Sequence, residues 1–326
     1  MLPIAPNRRN VKLPIFLVIS ALIAVGLVLG GVRYAYYKPV TYADDWMDSP
    51  HTQDPALTNP AYRLSQHPKH PRRKDPVMVL VHGFSASTYE FDAFKTAVTA
   101  IAPTMQWSTI LMGGHGRNYH AFKDATCDDW QAPLVEEVNA LIQLGYTRIT
   151  LVGVSTGATV IMDALLRGLI DATAIESVIM VDPFLSPRNK WLYAIPYLKR
   201  LIPNTMADAS TPLAHAHWYT NRPAEALNQL RILITRVARL QQTAAISVPT
   251  TVYLALNDPI CDTQYTQKNV SIGFPKTRIH TNESNHHVII EPNTKASVWT
   301  PQDQTLFDTI IHDIVTHIKI SLTADG

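Results

Sequence analysis

The stretch TRITLVGVSTG at residues 147–157 decides the fold expected for this chain. Its first six residues are rich in β-branched side chains and predict a buried strand. They lead directly into Gly153-Val154-Ser155-Thr156-Gly157. A Gly-x-Ser-x-Gly pattern after a strand is typical of a sharp, strained turn into a helix, which exposes the serine at the end of a sheet. Ser155 is therefore the candidate nucleophile, and an ordinary turn that happens to carry a serine is the alternative.

A second apolar run, VMVLV at residues 77–81, predicts a parallel strand that is buried on both faces, and it ends in His82-Gly83-Phe84. With the serine turn, this loop resembles the α/β-hydrolase superfamily, and within it the bacterial carboxylesterases and monoacylglycerol lipases. The resemblance covers roughly residues 76–320 and includes Gly114-His115-Gly116, Asp128-Asp129-Trp130 and the histidine pair at 286–287. It implies an α/β fold in which a mostly parallel sheet has helices on both faces.

The resemblance also implies an oxyanion hole formed by two backbone N–H groups, those of Phe84 and Thr156. Gly83 would let the main chain approach a substrate closely. His82 is interpreted as a structural residue that holds the loop rather than as a second base.

In this fold the catalytic acid follows the nucleophile and lies at the end of a later strand. The run at residues 248–256 predicts such a strand, and Asp258 follows it closely. We therefore expect Asp258 to orient the base. Asp262, four residues on, and Asp182, which ends the predicted strand 175–181, stay open as alternatives.

The base must come from the sequence SNHHVIIE at residues 284–291, in the loop after a short strand predicted at 277–281. Relatives have a turn-forming residue before the histidine, often a serine two before it, and an acid five after it. His286 meets all three conditions and is the preferred base. His287 is the alternative, since Val288 then completes the common His-Val pair.

The strand and helix alternation breaks between Asp182 and Ile246, so we predict a core of 76–182 and 246–326 with a cap inserted at 183–245. Aromatic residues of the cap are candidates for the substrate pocket; they are Trp191, Tyr193, Tyr197, Trp218 and Tyr219. Near the start of the core, Ser87 and Glu90 fit a capping box that opens a helix.

The N-terminus predicts a membrane anchor. Residues 13–32 carry no charge and are long enough to cross a bilayer, whereas a cleavable signal has a shorter apolar region. Residues 1–38 are therefore interpreted as a tail and a transmembrane helix, and residues 39–75 as a linker. Basic residues before the helix place the N-terminus in the cytoplasm and the catalytic domain in the periplasm or outside. They are Arg8, Arg9 and Lys12.

Composition excludes little beyond this. A net charge of +2 gives no nucleic-acid footprint, and the scattered histidines show no metal-ligand spacing, so we expect no cofactor and no metal. The two cysteines, Cys127 and Cys261, could pair in an oxidising compartment, and the sequence leaves that question open. It also leaves the oligomeric state open.

These features together predict a membrane-anchored serine hydrolase that cleaves small-molecule or lipid carboxylic esters through an acyl-enzyme. Acyl transfer or thioester cleavage by the same residues is an alternative. A catalytically silent binding module that has kept the fold is another.

Overall fold

The centre of the structure is a parallel β-sheet. The computed structural model describes residues 15–36, 65–68, 75–117, 119–206, 211–292 and 299–324. Its strands are β1 (Val77–Val81), β2 (Gln106–Ile110), β3 (Ile149–Val154), β4 (Ile175–Val181), β5 (Asn204–Met206), β6 (Asn221–Pro223), β7 (Thr250–Ala255) and β8 (Thr277–Asn282). Six of them form one sheet in the order β2-β1-β3-β4-β7-β8, and every neighbouring pair is parallel.

Helices cover both faces of this sheet. The helices of the described residues are α1 (Ile15–Tyr36), α2 (Asp92–Ile101), α3 (Tyr119–Asp124), α4 (Cys127–Gln143), α5 (Thr156–Leu166), α6 (Ile195–Leu198), α7 (Pro212–His217), α8 (Ala224–Leu240), α9 (Thr263–Gly273) and α10 (Pro301–Ala324). Alternate residues of β1 enter two separate cores, because successive strand side chains point to opposite faces. Val79 packs with residues of α4, α5 and α8, whereas Leu80 packs with residues of α2 and α10. The predicted α/β fold is therefore confirmed.

The chain between β4 and β7 forms the insertion. It contains a 3-10 helix (Lys190–Ala194), α6, α7 and a small antiparallel pair of strands, β5 and β6. The structure differs from the predicted insertion of 183–245 at α8. This helix buries Leu230 and Leu233 in the core shared with α5, so it belongs to the layer that covers the sheet. Its amphipathic pattern alone did not show which surface it would cover.

The helix predicted at 13–32 coincides closely with α1. Residues 1–14 and most of the predicted linker lie outside the described residues. A described piece of that linker, residues 65–68, pairs with the edge strand β2 through Gln66 and Thr109. In the described part of the chain, no helix combines the length and the apolar character needed to cross a membrane.

Candidate active site

Ser155 lies at the turn between β3 and α5, at the carboxyl end of the sheet. Its backbone has φ 48° and ψ −118°, a left-handed conformation that a non-glycine residue adopts only under strain. Two glycines permit this turn. A Cβ added at Gly153 would lie 2.5 Å from Cα of Ala158, and one at Gly157 would overlap the carbonyl oxygen of Val81. The pattern in the sequence is thus explained by the closeness of helix and strand.

His287 lies between Ser155 and Asp258. Its Nε2 is 2.9 Å from Oγ of Ser155, and its Nδ1 is 2.7 Å from Oδ2 of Asp258. In the tautomer that carries the proton on Nδ1, the ring donates to Asp258 and its Nε2 can accept the serine proton. This is the hydrogen-bonding order of a nucleophile, a base and an orienting acid.

Asp258 is fully buried at the end of β7. Its other carboxylate oxygen accepts hydrogen bonds from the backbone N–H groups of Ile260 at 2.6 Å and Cys261 at 3.0 Å. Burial acts to raise the pKa of Asp258, but the nearby His287 ring and these donors hold it below the usual value. The carboxylate is therefore kept ionised beside the imidazole.

The preference for His286 as the base is corrected by this geometry. The His286 ring points to the other side of the loop, where its Nε2 is 3.3 Å from Oδ2 of Asp303 and its ring stacks obliquely on Trp299. Ser284, the predicted marker of a catalytic histidine, accepts a hydrogen bond from the backbone N–H of His286 at 3.1 Å. The partners of His286 come from the distant α10 region and could not be read from the local motif.

The two alternative acids have other contacts. Asp262 caps α9 through the N–H of Tyr265 and pairs with Lys190 at 2.7 Å. Asp182, at φ 46°, accepts hydrogen bonds from the backbone N–H groups of Ala255 at 2.7 Å and Val288 at 3.0 Å. Asp182 therefore connects the end of β7, which precedes Asp258, to the residue that follows His287.

Asp182 also carries an unusual electrostatic environment. Burial, followed by repulsion from the carboxylate of Asp258, raises the pKa of Asp182 to about 6. The two backbone donors favour the ionised form and oppose this rise. Asp182 thus lies next to Asp258 and His287, but its carboxylate bonds to the backbone rather than to Ser155.

The loop that carries Phe84 is held from three sides. Nδ1 of His82 lies 2.8 Å from the carbonyl oxygen of Gly83, and its Nε2 accepts from the N–H of Met112 at 3.1 Å. Burial lowers the pKa of His82 to about 4, so the ring is neutral at pH 7. On the third side, the N–H of Tyr219 donates to the carbonyl oxygen of Ser85 at 2.8 Å. His82 thus has the structural contacts that the sequence predicted for it.

Glu90 holds the same loop in a way that the sequence did not predict. Its Oε2 accepts from the N–H of Gly83 at 2.5 Å, whereas the predicted capping box would have turned it toward Ser87. Ser87 does cap the short helix Thr88–Phe91 through the N–H of Tyr89. The three-residue spacing between Ser87 and Glu90 correctly predicted that Ser87 caps the helix. It did not predict that the Glu90 carboxylate binds the N–H of Gly83.

A cavity of about 280 Å³ opens above Ser155 and His287. Phe84 and Thr156, the predicted sources of the oxyanion amides, both line it. Most of its remaining wall is apolar and comes from the insertion, α8 and the loop after Asp258; it includes Trp191, Leu192, Trp218, Leu227, Leu230, Pro259 and Ile260. Of the predicted pocket aromatics, Trp191 and Trp218 lie at this cavity. The hydroxyl of Tyr219 instead accepts from the N–H of Arg117 at 3.0 Å and donates to the carbonyl oxygen of the same residue.

Cys261 lies beside the acid and base. Its Sγ is 3.8 Å from Nδ1 of His287, so Asp258, Cys261 and His287 offer ligand atoms within 4.8 Å of one another. Burial raises the pKa of the Cys261 thiol well above its usual value, which disfavours the thiolate that a metal requires. Both cysteines are buried free thiols, so the open question of a Cys127 to Cys261 disulfide is answered in the negative for this structure.

The chain belongs to the α/β hydrolase family, whose family model matches residues 78–295. Its fold is similar to that of a metagenome-derived lipolytic enzyme of the pair LipS and LipT, with a TM-score of 0.61 and 16% identity over 79% of this chain and 97% of that one. It is also similar to a monoacylglycerol lipase of Paleococcus ferrophilus, with a TM-score of 0.57 and 14% identity over 75% of this chain and 96% of the other.

A soluble variant of monoglyceride lipase from Saccharomyces cerevisiae has a TM-score of 0.55 and 15% identity, over 78% of this chain and 90% of the lipase. No curated protein shows significant sequence similarity to this chain. At these identities the likeness establishes the fold, and the family establishes a hydrolase.

Proposed function

We propose that this protein hydrolyses carboxylic esters through an acyl-enzyme on Ser155. The observation that carries this proposal is the hydrogen-bonded line from Ser155 through His287 to Asp258 at the floor of a largely apolar cavity. Fold neighbours that are lipases add support from outside the chain.

In the first half of the reaction, Oγ of Ser155 attacks the ester carbonyl while His287 Nε2 takes its proton. Asp258 stabilises the imidazolium that forms. The amides of Phe84 and Thr156 stabilise the negative oxygen of the tetrahedral intermediate, an effect worth about 10²- to 10³-fold in rate for one donor. His287 then gives its proton to the leaving alcohol, and the acyl group remains on Ser155.

In the second half, a water molecule attacks the acyl-enzyme and His287 takes its proton. Collapse of the second tetrahedral intermediate releases the carboxylic acid and returns the proton to Ser155. The apolar wall would hold the acyl chain or an apolar alcohol, which suits a small-molecule or lipid ester.

This proposal is tested by removing Oγ of Ser155 and measuring the activity that remains. We expect Ser155→Ala to abolish both fluorophosphonate labelling and turnover of a series of p-nitrophenyl esters, because no nucleophile remains. Ser177→Ala, a matched change on β4, should leave both intact. Full activity in a folded Ser155→Ala protein would contradict the assignment.

We also propose that the N-terminal segment attaches the enzyme to a membrane, with the catalytic domain outside the cytoplasm. Large apolar side chains of α1 are exposed to solvent, among them Leu22 at 66%, Leu27 at 72% and Val28 at 64%. Exposed apolar surface of this kind favours contact with lipid.

Carbonate extraction tests the attachment. The full chain is expected to stay with membranes, and a chain that begins at Pro39 is expected to be soluble and active. Release of the full chain by carbonate would contradict it. Protease accessibility in spheroplasts tests the orientation.

A further inference from the structure

Arg222 is the one permanent cation among the described residues that line the active-site cavity. It lies on β6 in the insertion, where its backbone pairs with Thr205 of β5. The strands are further joined by a hydrogen bond of 3.3 Å from Asn204 Nδ2 to Asn221 Oδ1. The guanidinium is therefore carried on a paired strand at the wall of the cavity.

The Arg222 side chain has no counter-charge in the described part of the chain. Its Nε is buried and has no hydrogen-bond partner. Glu90, the carboxylate at the same cavity, accepts from the N–H of Gly83, and no ion pair joins it to Arg222. Nor does an ion pair join Arg222 to Glu225, three residues along the chain. By contrast, Arg236, which is also half-buried, pairs with Asp163 at 2.7 Å.

Arg222 is half-buried, and its Nε is shielded from water without a partner. This is unfavourable, because arginine keeps its charge in proteins. The cost is removed if a ligand brings an anion into the cavity. A carboxylate or a phosphate monoester fits best, because its oxygens can accept two parallel hydrogen bonds from one guanidinium. The apolar wall around Arg222, which includes Trp218 and Leu227, would strengthen that interaction by excluding water.

We propose that Arg222 binds an anionic group of the substrate, so that the ester cleaved at Ser155 carries a carboxylate or a phosphate besides its scissile bond. This inference rests on the proposed ester hydrolysis. It assigns the substrate class to anionic esters and makes Arg222 the residue that selects them.

The experiment compares pairs of esters in which one member carries an added anionic group. p-Nitrophenyl butyrate and p-nitrophenyl hemisuccinate form the carboxylate pair, and 1-butyrylglycerol with 1-butyrylglycerol 3-phosphate forms the phosphate pair. We expect Arg222→Gln to lower kcat/KM for the anionic member of one pair by about 10- to 100-fold, mainly through KM, relative to its neutral member. The pair that responds identifies the anion. Arg222→Lys should recover part of the loss.

Arg231→Gln is the matched control, because it removes the same charge from α8, where Arg231 Nε donates to Asn228 Oδ1 at 3.1 Å. It should leave both ratios unchanged. Equal losses on neutral and anionic esters in Arg222→Gln would assign Arg222 a structural role and overturn the proposal. So would unchanged ratios in both pairs.

Binding separates this inference from the proposed hydrolysis. In a Ser155→Ala background, calorimetry with hemisuccinate and with the glycerol phosphate ester measures affinity without turnover. Tighter binding of an anionic ester than of its neutral partner, lost in Ser155→Ala with Arg222→Gln, supports the role of Arg222 even if the wild-type protein cleaves none of these esters. Equal affinity for both members of each pair would overturn it.

Discussion

The core sheet and the insertion between β4 and β7 are built in different ways. All five residues of β1 are completely buried, and the candidate nucleophile, acid and base follow the carboxyl ends of core strands. In the insertion, Trp191 is 39% exposed and Tyr197 is 83% exposed. The geometry of the candidate catalytic residues thus depends on the deeply buried part of the molecule, whereas much of the cavity wall comes from a less deeply buried part. Substitutions in the two regions should therefore separate turnover from selectivity.

The largest expected effect concerns the two adjacent histidines in the core. His287→Ala should lower kcat by about 10⁴- to 10⁶-fold, as Ser155→Ala does, because the three groups act as a unit. His286→Ala is its neighbouring control and should lose less than about 10-fold, since its ring contacts Asp303 and Trp299. Steady-state kinetics on variants of equal thermal stability measures both. The reverse ranking would return the role of base to His286.

The next effect tests whether α8 belongs to the core or to the insertion. Asp163 is fully buried on α5 and accepts two hydrogen bonds of 2.7 Å from Arg236 on α8. Arg236→Gln should lower the free energy of unfolding by about 3 kcal/mol, because it leaves a buried carboxylate with too few partners. Arg239→Gln, on the exposed side of α8, should change it by less than about 0.5 kcal/mol.

Urea unfolding measures both changes. If Arg236→Gln lowered the free energy of unfolding as little as Arg239→Gln does, α8 would belong to a separable cap. The assignment of α8 to the layer that covers the sheet would then be wrong.

The last effect is a pH dependence of stability at Asp182, which reaches its full size only near pH 6 and above. Its pKa is raised from 3.8 to about 6 on folding, so the folded state binds this proton more tightly than the unfolded state. Stability from this group is therefore present below about pH 4 and is lost as the pH rises to about 6. An amide side chain at this position would not titrate.

Asp182→Asn should thus gain stability relative to the wild type as the pH rises from about 4 to about 6, by up to about 3 kcal/mol. Unfolding curves at several pH values, with Asp171→Asn as an exposed control, measure this difference. A constant difference between Asp182→Asn and the wild type would show that the group does not titrate in this range.

The sequence predicted most of the fold because the relevant signals are local. The strand expected at 175–181 has those limits, and the glycines around Ser155 meet neighbouring backbone as the motif requires. Asp258 was singled out because it follows an apolar run. Each of these inferences needs only residues that are close in the chain.

The predictions that changed depend on contacts between distant segments. His286 and His287 are equivalent until α10 brings Asp303 to one of them. Glu90 turns to Gly83 rather than to its own helix, and α8 joins the core because Asp163 lies opposite Arg236. Arg222 gave no signal in the sequence, since an arginine in a proline-rich segment is ordinarily solvated.

Asp182 has a consequence for how this protein can vary. It holds the N–H of Ala255, shortly before the acid, and the N–H of Val288, directly after the base, although α9 and β8 lie between them. The spacing of the candidate acid and base is therefore held by a residue at the end of β4, outside the chain that connects them. Insertions or deletions after α9 should be tolerated by the active site as long as this one carboxylate keeps both of its backbone partners.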